Sequence, residues 1–153
     1  MTTDSPTRRA VRAYHDARFR GDVAAAAAHI GDGFTFRSPF VASNSPTGHL
    51  DGLDALLGIV TGVDLISELY GDNEATLIYD MHTASPVGTQ HTAEHFRLHD
   101  GRITAIRLLF DSAPWQAVMA AIVPHCDEVT PARRLSRWRM HAFPVHAETV
   151  RPA

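Results

Sequence analysis

The sequence predicts an α+β domain, and three features of it carry that reading. Apolar residues recur at helical spacing through roughly the first sixty positions and then alternate with polar ones. The second half is cut into strand-length pieces by the reversal signals "GDN", "SPVG" and "HDG", each with Gly or Pro where a chain turns back. At 153 residues, one compact unit with helices set on one face of a sheet is the expected arrangement.

The elements follow in order. Ser5 and Pro6 read as N-cap and first helical position, with Ala10, Val11, Tyr14 and Ala17 on one face and Gly21 as the stop. Asp22 caps a short small-residue helix, "VAAAAAHI", which Gly31 and Gly33 are expected to end. "FTFRSPF" is a short strand closed by Pro39, "VASNSPTGHLDG" a loop, and "LDALLGIVTG" a third helix. Four strands of a meander are expected at about 63–70, 75–83, 89–99 and 102–111, and "APWQAVMAAIVP" reads as a closing helix or strand end. One domain is placed at 1–123, and residues 124–153 are read as an extension expected to pack on the body or on a second subunit.

With 44% hydrophobic and 20% charged residues, the composition is that of a globular chain. No apolar run reaches membrane-spanning length, and "MTTDSPTRR" leads into no hydrophobic stretch. A cytoplasmic protein without a membrane partner is expected. Every basic residue is Arg, with nine against fourteen acids in 1–123 and five against three in 124–153. An acidic body argues against nucleic acid as partner. The tail cluster Arg133, Arg134, Arg137 and Arg139, with Trp138 inside it, suits packing on the body or a second subunit. Cys126 stands alone, which excludes an internal disulfide and a multi-cysteine metal site.

His91, Glu94 and His95 spell H-x-x-E-H in "QHTAEHFRLHDGR". On a helix that spacing gathers two imidazoles around zinc with a carboxylate as base. The Asp100–Gly101 pair, however, marks a hairpin, so the stretch is a strand. His91, His95 and His99 then share one face with Ala93 and Arg97, and Thr92, Glu94, Phe96 and Leu98 share the other. No metal is expected. Glu94 faces an apolar concavity, where an ionised carboxylate is costly. It is read either as a neutral, donating acid or as a carboxylate that pairs with an Arg or lies near the rim.

The stretches "YHDARFRGDVAAAAAHIGDGFTFRSPF" and "AEHFRLHDGRITAIRLLFDSAPW" resemble the nuclear transport factor 2-like superfamily, in its SnoaL-like and ketosteroid isomerase-like branch, over residues 7–122. The resemblance implies a cone-shaped curved antiparallel sheet with helices on its concave side, one deep pocket and a homodimer. The fold hosts isomerases, dehydratases, epoxide hydrolases, polyketide cyclases and proteins without known chemistry. The first-helix tyrosine of ketosteroid isomerases falls on Tyr14, and their protonated aspartic acid on Glu94, ahead of "HFRL". Their general base, the aspartate of "EDP", falls on Ser38 of "RSP". A serine hydroxyl cannot replace that base, so isomerisation by the family route is not expected. The epoxide hydrolase pattern has no counterpart in "YDMH".

Tyr14 and Glu94 are the candidate electrophile, and His49 or Asp80 the candidate base. Tyr14 has a plain core role as its alternative, and His49 that of an ordinary loop histidine. The alternation of Ala75, Leu77, Tyr79 and Met81 favours Asp80 and His82 facing solvent or a partner sheet. Phe36, Ser38, Phe96, Ile106, Leu108 and Phe110 are expected to line the pocket. The expected ligand is small and mostly apolar, such as a polyketide, terpenoid or steroid-like ring with one carbonyl or phenol oxygen, and no cofactor is implied. As an enzyme the chain is expected to be an isomerase, cyclase or dehydratase acting through an enol-like intermediate, and a non-catalytic binding or dimerisation module of the same fold is the alternative.

Overall fold

The computed structural model describes residues 4–122. The expected extension 124–153, with Cys126 and the Arg-rich tail cluster, lies outside the described residues.

Helix α1 (Pro6–Phe19) begins where the sequence places it, with the Ser5 side chain accepting from the Arg8 N–H at 3.1 Å. Gly21, at φ +76°, turns the chain out of α1, and the Asp22 carboxylate caps α2 (Val23–Ala27) through the Ala25 N–H at 3.0 Å. Strand β1 (Ile30–Arg37) follows, and here the expected boundary moves: Gly31 and Gly33 do not end a helix but lie within β1. They sit where its register against the neighbouring strand slips between Ile30 and Thr35, a bulge that glycine eases. The expected loop contains the two-residue strand β2 (Ala42–Ser43) and a single 3-10 turn, Gly48–Leu50.

Helix α3 (Leu53–Leu57) is half the expected length, because Gly58 closes it and Ile59, Val60, Thr61 and Val63 favour strand. β3 (Val60–Tyr70) therefore starts earlier than expected. β4 (Glu74–Thr83), β5 (Thr89–His99) and β6 (Arg102–Phe110) complete the meander. The β5–β6 hairpin closes through Asp100 (φ 49°) and Gly101 (φ 72°), both left-handed, as the Asp-Gly pair predicts. α4 (Ala113–Ile122) opens with the Ala113 N–H bonded to the Asp111 carboxylate at 3.0 Å.

The sheet is a single curved one of six strands in the order β2-β1-β6-β5-β4-β3. The meander is antiparallel as expected, but β1 runs parallel to β6, so the sheet is mixed. Its inner face carries Leu77, Tyr79 and Met81 of β4, Phe96 and Leu98 of β5, and Ile103, Ile106 and Leu108 of β6. Val11, Tyr14 and Ala17 of α1 join the same core. Each large side chain so buried contributes about 1.5–3 kcal/mol. The outer face bears His91, His95 and His99, paired with Asp80, Glu74 and Asp100 at 2.7, 3.5 and 3.4 Å. No helix among the described residues is long and apolar enough to cross a membrane.

Candidate functional site

Two polar clusters lie inside this apolar core, and both are built from α1. Tyr14 and Arg18 are one helical turn apart, so their side chains leave the same face of α1. Arg18 reaches Glu94 of β5, with Nη1 donating to Oε1 at 2.7 Å, and the Tyr79 hydroxyl of neighbouring β4 donates to Oε2 at 3.0 Å. The Arg18 and Glu94 side chains are 9% and 0% exposed. Burial works against the Arg18 cation, but Glu94, followed by Tyr79 and Tyr14, holds its pKa above the ordinary value. Burial, and then Glu94, pushes the Tyr79 phenol well up, so it stays a donor.

Glu94 thus faces inward as the strand alternation predicts, but as the acceptor in an ion pair rather than as a neutral donating acid. The expected Tyr14 and Glu94 donor pair is not assembled, since a guanidinium one turn along α1 claims the carboxylate. Of the two readings of Glu94, the paired one describes the structure.

Tyr14 is directed elsewhere. Its hydroxyl lies 2.8 Å from His49 Nε2, and the His49 ring is 4.9 Å from each of Phe34 and Phe36. Phe96 meets Tyr14 edge-on at 5.9 Å. Burial raises the Tyr14 pKa, so the phenol keeps its proton. Burial, then the positive charge of Arg18, pulls His49 down to about 4, the Ser45 backbone acting weakly the other way. The pair is neutral on both sides. With Tyr14 donating, Nε2 is the lone-pair nitrogen and the imidazole proton sits on Nδ1, which is buried without a geometrically sound hydrogen bond.

The expected lining residues divide. Phe36, Phe96, Ile106 and Leu108 are buried on the inner face, and Phe36 and Phe96 meet the Tyr14–His49 pair. Phe110 is half-buried and packs on Phe40 at 5.7 Å. The Ser38 hydroxyl is taken up by its own turn, accepting from Val41 N at 3.0 Å and Phe40 N at 3.3 Å. Asp80 is not part of the site. The inner face of β4 is the one bearing Leu77, Tyr79 and Met81, which sends Asp80 outward to His91 Nδ1 at 2.7 Å, and His82 to Asp64. Asp80 as a base is therefore withdrawn. No cluster of metal-ligating side chains occurs among the described residues, and the His91-Glu94-His95 spelling divides across the two faces of β5.

Sequence reasoning missed Arg18, Tyr79 and His15. The first was legible: a cation four residues after Tyr14 on a face otherwise made of Ala and Val has to find a carboxylate inside. Tyr79 was visible only as one member of an apolar alternation, its hydroxyl going unconsidered.

A curved mixed sheet closed over one long helix, with polar groups enclosed between them, defines the class of α+β cone proteins. Within it, the chain has the fold of the nuclear transport factor 2-like superfamily. Solved structures to which it is similar include a protein of Kribbella flavida DSM 17836, 29% identical over 74% of this chain and 93% of that one, with a TM-score of 0.66. An NTF2-like protein of unknown function from Cytophaga hutchinsonii ATCC 33406 is 21% identical, over 76% and 99%, with a TM-score of 0.58. A steroid delta-isomerase from Pseudomonas aeruginosa is 12% identical, over 82% and 97%, with a TM-score of 0.61. No protein-family model and no curated protein matches the sequence.

Proposed function

We propose that the chain is a cytoplasmic small-molecule protein whose site is the Tyr14–His49 pair, acting on a compact carbonyl compound of polyketide, terpenoid or steroid-like character through an enol-like intermediate. The observation that carries this reading is the 2.8 Å contact between a phenol held protonated and an imidazole held neutral, inside a wall of Phe34, Phe36 and Phe96. A carbonyl oxygen entering between them takes the Tyr14 hydrogen bond and frees His49 Nε2 to receive the proton from the adjacent carbon. His49 rides on the 3-10 turn between β2 and α3, and lifting that turn admits the ligand and relieves the burial that weakens the base. The pair supplies the base that Ser38 lacks, and the electrophile is Tyr14 alone. The Arg18–Glu94–Tyr79 cluster acts as its rigid floor. No cofactor and no nucleic acid enter this scheme.

The test is equilibrium binding of 2-naphthol and a phenolic steroid to the wild type, Tyr14→Phe and His49→Gln. Loss of about 1–3 kcal/mol of binding in Tyr14→Phe is expected, the range for a buried hydrogen bond. Binding indifferent to both substitutions overturns the reading.

A second reading, a dimerisation module, is supported by the outer sheet face. Ile66, Ile78 and Leu109 are 62%, 42% and 54% exposed there, with Ala93 in register between Ile78 and Leu109. A homodimer joined through this stripe is expected to fall to monomer in Ile78→Asp by light scattering, with naphthol binding retained. A monomeric wild type removes it.

A further inference from the structure

On the side of α1 away from the Tyr14–His49 pair lies a cleft of about 380 Å³, within the size range of small-molecule sites. Phe19, Val63 and Leu65 give it apolar walls, and Arg12 and Arg20 stand at it. One Arg12 nitrogen already bonds to Glu68 at 2.8 Å, whereas the Arg20 guanidinium has no partner among the described residues. Asp16 also borders the cleft, so its charged lining is two Arg against one Asp, with Glu68 holding Arg12 from outside it. His15 lines the same cleft. Its side chain is 7% exposed, and its Nε2 is buried with no hydrogen-bond partner. Burial lowers its pKa first of all, so the imidazole is neutral and one polar atom is left unsatisfied at a cost. The His15 ring lies between Phe19, at 4.8 Å on the cleft side, and Tyr79, at 5.0 Å.

We propose that this cleft binds a small aromatic carboxylate, its ring against Phe19, Val63 and Leu65, its charge between Arg20 and Arg12, and one carboxylate oxygen accepting from His15 Nε2–H. The carboxylate is chosen by two features acting together. A guanidinium with no partner among the described residues, beside a second cation, selects an anion, and a buried imidazole whose Nε2 has no partner selects one able to accept several hydrogen bonds at once. The apolar walls call for a flat hydrocarbon body. This site is separate from the Tyr14–His49 pair and does not depend on it.

The experiment is titration of the full-length, 15N-labelled protein with 2-naphthoate, observing the histidine imidazole nitrogens, with 2-naphthol as the uncharged comparison. Saturable binding that shifts the His15 signals and leaves His49 unmoved is expected. Arg20→Gln, an exposed change that leaves the fold intact, is expected to weaken it roughly five-fold, as for a partly exposed charge contact, and 2-naphthol is expected not to move His15. Absence of saturation overturns the proposal, as does an affinity unchanged in Arg20→Gln. A naphthoate response at His49 without one at His15 also overturns it, while leaving the Tyr14–His49 reading standing; a naphthol response confined to His49 beside a naphthoate response at His15 upholds both.

Discussion

Replacing Arg18 by Met is the most informative single perturbation of this protein. The side chains are similar in length, so packing is largely kept, but Glu94 loses its 2.7 Å partner at a position with 0% exposure. Removing one member of a buried pair costs about 3–5 kcal/mol, because the remaining charge is left uncompensated. Against a total stability of about 5–15 kcal/mol, that is a large share. With a urea dependence of about 1.5 kcal/mol per molar, the unfolding midpoint is expected to fall by about 2–3 M. The double variant Arg18→Met, Glu94→Leu removes both charges and leaves only the Tyr79 hydroxyl without its acceptor, at about 1–3 kcal/mol. Adding Tyr79→Phe is expected to bring the midpoint back close to that of the wild type. The assay is urea unfolding of all four proteins, followed by near-ultraviolet circular dichroism. Should Arg18→Met cost less than about 1 kcal/mol, or the double variant be no more stable than the single, the pair is not the buried, mutually compensating unit described here.

Other outcomes follow from the same geometry. The folded-state pKa of His49, about 4, lies below its unfolded value of roughly 6.5, so the unfolded chain takes up the proton first as pH falls. Stability is therefore full above about pH 6.5 and declines towards pH 4 by up to about 3 kcal/mol, with His15, also lowered by burial, acting in the same direction. His49→Gln is expected to reduce that slope in urea midpoints taken between pH 7 and 4.5, and identical slopes count against it. A Cβ on Gly31 meets the Arg102 Cβ at 3.0 Å, so Gly31→Ala is expected to cost about 1–3 kcal/mol in thermal unfolding. Ser5→Ala removes the α1 cap and is expected to cost about 1 kcal/mol, read in the same way.

The parts of the fold legible in the sequence were those written in local chemistry. Ser5–Pro6, Asp22 and Asp100–Gly101 each satisfy or shape a nearby backbone group, and each appears where it was read. The period-2 alternation placed Glu94 and Phe96 inward and the three histidines of β5 outward. Boundaries governed by distant partners were not legible. Gly31 and Gly33 read as helix stops because their true reason, the bulged approach of β1 to β6, depends on residues some seventy positions away. The site divided along the same line. The inward position of Glu94 was a matter of strand period, but its part as a hydrogen-bond acceptor was decided by Arg18, a choice made across the core. His49 was found as a loop histidine, but its contact with Tyr14 follows from how the 3-10 turn folds over the cone.

The parallel joining of β1 to β6 also dictates an order of assembly. β3 to β6 are linked by short reversals and can form by local zippering, whereas β1 must wait for a partner far along the chain, paying the entropy of a long loop before any ladder bond repays it. Tyr79 and Glu94 belong to the meander, and Tyr14, Arg18 and His49 to the part of the chain before it. The buried charge pair joins the meander to the helix that precedes it, and the amides of β1 are expected to exchange with solvent ahead of those at the centre of the meander.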